Sequence, residues 1–267
     1  MLSPQHGQTT LQTLSRGLQL LEAIVAADGI ATTKSLARAL DLKIGTCYNL
    51  LRTLHAQGYV VRLPNGTYAI GQRAVGLSKS VLNRMQPDPM LSALLWQMNR
   101  TTRETTFISG WYHQNIVVQE TLSGEQPLGV TSLSPGYGDN LHARASSKAI
   151  LAHLSRSEVC MIIPPDPLPK LTERTILDRE TLFAELEKVR STGHSTDVDE
   201  FSKGVSCVSA PFFDRNDEVV GAYAISVPTD RFRRGFVQYS SQVRKTAAEA
   251  TRHLQRSGEW VAMRGVS

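Results

Sequence analysis

The sequence predicts an α+β protein of two domains, and three observations lead there. A chain of 267 residues with 41 % hydrophobic content exceeds one ordinary domain of roughly 100–200 residues. Its first 71 residues read as three helices and a hairpin, whereas the remainder alternates helical patterns with strands that meet in hairpins. Two prolines, Pro87 and Pro89, stand between the patterns.

The first helix lies in "LSRGLQLLEAIVAADG", where Leu14, Leu18, Leu21 and Val25 recur at helical spacing. Ser15 is its expected N-cap and Asp28-Gly29 its end. In "TTKSLARALDL", Thr32 or Thr33 caps a short second helix with Leu36, Ala37 and Leu40 on its apolar side. The third helix carries Cys47, Leu50, Leu51 and Leu54 at i, i+3, i+4 and i+7, a core-facing stripe. Next, "YVVRLPNGTYAIG" places two β-prone runs around Asn65-Gly66, a strong short-range hairpin signal because both residues tolerate positive φ.

Helix, helix, helix, hairpin is the winged helix-turn-helix order, in which the third helix enters the major groove and the hairpin tip lies on the backbone or minor groove. The face opposite the leucine stripe carries Gly45, Tyr48, Asn49 and Arg52, with Thr46 at the helix start placed for a phosphate. Asn and Arg have the donor and acceptor geometry to read adenine and guanine edges, and Gly45 permits close approach. Arg62 and Asn65 occupy the wing, and Lys34 and Lys43 join the expected DNA contacts.

Charge points the same way. Residues 1–80 hold eight Lys and Arg against three Asp and Glu, while the other 187 residues hold 21 of each, so the net +5 lies entirely in the first third. That asymmetry fits a polyanionic partner, here double-stranded DNA. No apolar run reaches the ~18–20 residues of a membrane span, and the N-terminus lacks the charged-then-apolar order of a secretory signal. A cytoplasmic protein without membrane contact is expected. Cys47, Cys160 and Cys207 form neither a CxxC pair nor a disulfide framework, and the seven histidines show no metal-ligand spacing, so no cofactor or metal is expected.

Residues 72–88 read as a linker helix between a 1–71 DNA-binding domain and an 89–267 domain. The latter shows a helix in "MLSALLWQMNRTT", a strand pair in "TTFISGWYHQNIVVQETLSG", a strand in "LGVTSLS" and a helix in "SSKAILAHLS". A Pro-rich loop, a helix in "DRETLFAELEKVRSTG", paired strands in "GVSCVSAPFFDRNDEVVGAYAISVP" and a terminal helix over about 237–255 complete it.

The chain resembles the IclR family of bacterial transcription regulators over about residues 12–255. The resemblance rests on "LSRGLQLLEAI", "LARALDLKIGTCYNLLRTLHAQGYV" and "GTYAIGQRAVGLS", and then on "LHARASSKAILA", "LEKVRSTGHSTDVDEFSKGVSCVSAP" and "DEVVGAYAISVP". It implies a GAF-like effector-binding second domain whose pocket uses Ala145, Ser146, Asp197, Cys207 and Ser226. It also implies a homodimer, often paired into a homotetramer, for which Val75, Leu77, Val81 and Leu82 of the linker are the expected contact. Relatives usually carry Arg at the position of Asn49, Gly at Ser147, often Ser at Ala224, and a small or hydroxylated residue at Arg144, so neither operator nor effector transfers directly.

A helix start at Ala145-Ser146-Ser147 aims backbone N–H groups at a carboxylate, and Arg144 either clamps such a ligand bidentately or points outward. A small organic acid, a hydroxy- or keto-carboxylate or an aromatic acid, is the expected effector. Two rival readings stand beside this one: an architectural DNA-binding protein whose second domain only oligomerises, and an enzyme using His142, Asp197 and Cys207. Against the enzyme, Cys207 lies in the strand-like "GVSCVSA", where a cysteine is more often a small buried hydrophobe, and no oxyanion-hole or nucleophile-elbow signature surrounds it.

Overall fold

The computed structural model describes residues 10–126 and 133–257, and the chain divides into two compact units between Arg84 and Met85. In the first, α1 (Gln12–Ala26), α2 (Thr33–Ala39) and α3 (Ile44–Ala56) precede a hairpin of β1 (Val60–Arg62) and β2 (Tyr68–Ile70), and α4 (Gln72–Met85) follows.

Two details of α1 correct the expectation. Its N-cap is Leu11, so Ser15 lies inside the helix, and Gly17, Leu20 and Ile24 are the buried residues. Leu14, Leu18 and Val25 are exposed, and only Leu21 of the expected stripe packs against the core. Apolar residues surround most of this helix, so periodicity offered two stripes and packing on the rest of the unit selected Leu20 and Ile24. The second helix keeps its predicted start. Thr32 and Ser35 form a reciprocal capping box, with Ser35 N–H donating to Thr32 Oγ1 at 3.1 Å and Thr32 N–H to Ser35 Oγ at 2.9 Å.

In α3, Cys47 and Leu51 are fully buried, while Leu50 and Leu54 pack at the core edge. The Cys47 thiol donates to the Thr33 carbonyl at 3.7 Å and ties α3 to α2. The hairpin turns through a five-residue connection rather than a two-residue Asn-Gly turn. Pairing ends at Arg62 and Tyr68, Gly66 alone takes positive φ (+84°), and Gly66 N–H donates to the Leu63 carbonyl at 2.9 Å. Past the wing, Gly71 is required by close approach: a Cβ there would sit 2.3 Å from the Gly58 carbonyl oxygen.

The second unit is a five-stranded antiparallel sheet in the order β4-β3-β7-β6-β5, made of β3 (Thr105–Tyr112), β4 (Asn115–Leu122), β5 (Ser195–Val198), β6 (Val205–Phe213) and β7 (Val219–Pro228). One face is covered by α5 (Pro89–Thr102) and α9 (Thr229–Ser257), which pack Leu91, Leu95, Met98, Val243 and Leu254 on Ile108, Val208, Phe212, Tyr223 and Ile225. On the other side, α6 (Ala145–Leu151), α7 (Arg156–Ile162) and α8 (Arg179–Thr192) bury Ile150, Leu151, Val159, Leu182 and Leu186 with Trp111, Ile116 and Ala222. Because both faces are covered, β7 is buried along almost its whole length and shows no apolar-polar alternation.

The expected strand in "LGVTSLS" falls largely on residues 128–132, outside the described residues. Two elements were not anticipated. One is β5. The other is α7, whose signal was present in "SRSE": Ser155 caps it and Glu158 reaches back to the Ser155 N–H at 2.8 Å. The terminal helix also starts eight residues before the expected 237, at Thr229. Gly235 disguised that turn, and a Cβ at Gly235 would lie 2.6 Å from the Tyr239 ring.

Candidate functional site

In the first unit, Gly45, Tyr48, Asn49 and Arg52 are all exposed on one side of α3, Thr46 is half-buried, and Lys43 is its N-cap residue. Lys34 on α2 and Arg62 and Asn65 on the wing are exposed as well. Among the described residues, no ion pair engages Lys34, Lys43, Arg52 or Arg62, which leaves four cations available to phosphates. Asn65 is partly committed: its Oδ1 accepts from Thr67 N–H at 3.1 Å and Thr67 Oγ1 at 2.7 Å, which shapes the wing tip.

In the second unit, strand register assembles a polar row on the sheet face under α6. Asp197 pairs with Cys207, Cys207 with Ser226, and Ser226 with Thr105. The adjacent row runs Ser195, Ser209, Ala224 and Phe107. The sheet and α6 are joined by hydroxyls: Ser195 Oγ donates to the Ala145 carbonyl at 2.6 Å and Ser109 Oγ to Ser146 Oγ at 2.9 Å. Cys207 Sγ donates to Ser226 Oγ at 3.2 Å. Ser147 Oγ is buried with no hydrogen-bond partner among the described residues, a cost that a polar ligand atom would relieve.

Asp197 is 2 % exposed, and its Oδ1 accepts from the N–H groups of Glu200 at 2.8 Å and Phe201 at 3.1 Å. Burial raises its pKa to about 7; Lys148 pulls against that shift and Glu200 adds to it. Lys148, which the sequence reading overlooked, is wholly buried, with its Nζ 2.7 Å from both Glu200 carboxylate oxygens. A lysine inside the otherwise apolar "KAILA" was the available signal, since lysine is almost never fully buried without a partner.

Arg144 does not point outward. It is buried, and its Nη1 and Nη2 donate to the carbonyls of Tyr137 at 3.2 Å and Ile116 at 3.1 Å, while its guanidinium lies 5.3 Å from the Tyr137 ring centre. Desolvation lowers its pKa to about 10. Nη1 and Nη2 thus tie the start of α6 to β4 and to the segment after it, while the buried Nε has no hydrogen-bond partner among the described residues.

Of the catalytic set, Asp197 and Cys207 are cross-strand neighbours. His142 Nε2 is 3.0 Å from the Pro169 carbonyl oxygen, and burial lowers the pKa of its ring. Burial foremost, and the neighbouring Asp197, push the Cys207 thiol above the usual thiol range, which disfavours the nucleophilic thiolate. Among the described residues, no cluster of three or more His, Cys, Asp or Glu could hold a metal ion, and no helix is long and apolar enough to cross a membrane.

A three-helix unit with a wing, followed by a separate α+β unit with a polar interior, is the build of a DNA-binding transcription regulator. The model of the IclR helix-turn-helix domain matches residues 13–64, and that of the bacterial transcriptional regulator IclR C-terminal domain matches residues 80–252. The chain therefore belongs to the IclR family of bacterial transcriptional regulators. It is 29 % identical to the transcriptional repressor IclR of Escherichia coli over 93 % of this chain and 91 % of that protein. The Thermotoga maritima IclR structure superposes with a TM-score of 0.68 at 26 % identity, covering 92 % of this chain and all of that one. An IclR homologue from Microbacterium hydrocarbonoxydans complexed with 4-hydroxybenzoate has a TM-score of 0.70 at 19 % identity, covering 92 % and 100 % of the two chains.

Proposed function

We propose that this chain is a ligand-responsive repressor that reads an operator through α3 and senses a small organic acid on the sheet face beneath α6. The observation that carries the sensing role is the buried polar row of Asp197, Cys207 and Ser226 on the sheet face under α6, together with the buried, unpartnered Ser147 Oγ on that helix. A domain that served only for oligomerisation would gain stability from an apolar interior at these positions, since buried polar groups are costly unless used. This row therefore favours a sensor over an architectural protein.

The ligand class follows from the donors. Protonated Asp197, the hydroxyls of Ser146, Ser147 and Ser226 and the backbone at the start of α6 receive a carboxylate, and ionised Asp197 accepts from a ligand hydroxyl. Arg144 acts as a brace in this reading. The fold also accommodates such molecules, as the homologue complexed with 4-hydroxybenzoate illustrates. No catalytic step is assigned to Cys207 or His142.

On the DNA side, Asn49 and Arg52 read base edges, Gly45 and Tyr48 allow and fill the close approach, and Lys34, Lys43, Thr46, Arg62 and Asn65 hold the backbone. One winged helix spans too few base pairs for useful specificity, so the operator form is a homodimer or a pair of dimers. Val75, Leu77, Val81 and Leu82 on α4 are all exposed, as are Leu11, Leu14, Leu18 and Val25 along α1, apolar surface of the kind that partners cover.

Thermal shift over a panel of small organic acids, followed by operator binding with each hit, tests this reading. A ligand at about 100 times its dissociation constant stabilises the fold by roughly 2.7 kcal/mol, and Asp197→Asn is expected to change which acid is preferred. If no acid shifts the melting temperature or the DNA affinity, the sensor reading fails.

A further inference from the structure

A cleft of about 490 Å³ lies where the segment before α8, the turn between β5 and β6 and the first turns of α9 meet. Each of the three segments contributes one cation to its lining: Arg174, Lys203 and Arg233. All three residues are exposed, and among the described residues none of them has an ion-pair partner. The lining carboxylates do not neutralise them. Glu173 is 2.8 Å from Lys170 Nζ, and Asp199 Oδ1 accepts from the Gly204 N–H and the Thr229 hydroxyl, each at 2.7 Å. Of the lining acids only Asp230, in the first turn of α9, is without a hydrogen bond or ion pair among the described residues.

Like charges gathered on one wall repel, so the segments that carry them are held together by other means. The Thr172 hydroxyl donates to the Asp199 carbonyl at 2.6 Å, and the Thr175 hydroxyl to the Glu200 carbonyl at 2.7 Å. At the start of α9, Thr229 N–H donates to the Gly204 carbonyl at 2.9 Å. The walls are therefore fixed by bonds that leave all three cations free, and a ligand that meets them has little chain to order.

Three cations rooted in three segments suit an anionic group with three acceptor oxygens, which a phosphate has and a carboxylate lacks. The volume falls within the roughly 300–1,000 Å³ of small-molecule pockets, more than a lone phosphate fills. Asp230 is a free acceptor for hydroxyl groups on the rest of the ligand. We infer that this cleft is a second small-molecule site and takes a phosphate ester of a sugar or polyol. Arg174, Lys203 and Arg233 hold the phosphate, and Asp230 accepts from a hydroxyl of the body. The cleft is lined by none of Ser146, Ser147, Asp197, Cys207 and Ser226, so its occupancy is independent of the acid-sensing reading.

Calorimetric titration of the full-length protein with glucose 6-phosphate, inorganic phosphate and glucose tests the site. The wild type is expected to bind glucose 6-phosphate at least tenfold more tightly than inorganic phosphate, and glucose not at all. Lys203→Gln and Arg233→Gln are each expected to lose at least fivefold for glucose 6-phosphate with the melting temperature unchanged, because both side chains are exposed and unpaired. Failure of the wild type to bind either phosphate, or affinity for glucose 6-phosphate that survives both substitutions, overturns the site. Inorganic phosphate binding as tightly as the ester overturns the sugar or polyol body, and glucose binding as tightly as its phosphate overturns the anionic anchor.

Discussion

The ammonium of Lys148 sits 2.7 Å from both carboxylate oxygens of Glu200, and the Glu200 N–H in turn donates to Asp197 Oδ1 at 2.8 Å. Lys148 is fully buried and the Glu200 side chain 13 % exposed, so the pair is nearly desolvated. Removing one partner of a buried pair leaves a charge uncompensated, at about 3–5 kcal/mol. Lys148→Met is expected to destabilise the protein by about 3 kcal/mol at pH 7.5 in urea unfolding, and Lys148→Met with Glu200→Leu to recover most of that loss. An equal deficit in the single and double variants would assign the effect to packing.

Asp197 sets a pH dependence. Its folded-state pKa is raised to about 7, above the unfolded value near 3.9. Between those values the folded state holds a proton that the unfolded state has released, so stability is highest below pH ~4 as far as this group is concerned and declines as pH rises towards ~7. Glu200, also raised by burial, acts in the same direction. Asp197→Asn is expected to flatten the decline in chemical unfolding measured from pH 5 to 8. A slope unchanged by the substitution would place the titration elsewhere.

On the DNA surface, two substitutions separate base reading from backbone contact. Asn49→Ala is expected to weaken operator binding by roughly 1–3 kcal/mol with little change on random DNA. Arg62→Ala is expected to weaken every sequence and to lower the slope of log affinity against log salt by about one. Fluorescence anisotropy over a salt series reads both, and matching losses on operator and random DNA for Asn49→Ala would remove its base contact.

Assembly is tested at α4. Val81 is exposed on a helix with no acidic residue in its first turn, and a carboxylate placed there would have to be desolvated in any interface it joins. Val81→Glu is expected to shift the protein towards monomer in light scattering at micromolar concentration and to weaken operator binding at least tenfold. A wild type that is monomeric with and without DNA would remove the dimer.

What was legible in the sequence was local. The cap at Thr32, the Cys47, Leu50, Leu51 and Leu54 stripe and the exposed side of α3 depend on residues within one helical turn, where helical geometry alone decides which side chains are neighbours. Ser155 and Glu158 belong to the same class and were overlooked rather than hidden.

The sequence by itself determined the winged-helix unit, its excess of positive charge and, through the ordered motifs, the family. Tertiary structure alone decided which face of α1 is buried, that Arg144 turns to the carbonyls of Tyr137 and Ile116, and that Lys148 meets Glu200 across 52 residues. It also set Tyr137 against Phe201. The reason is strand register: β5, β6, β7 and β3 place Asp197, Cys207, Ser226 and Thr105 side by side, and no spacing along the chain encodes a neighbour that arrives from another strand.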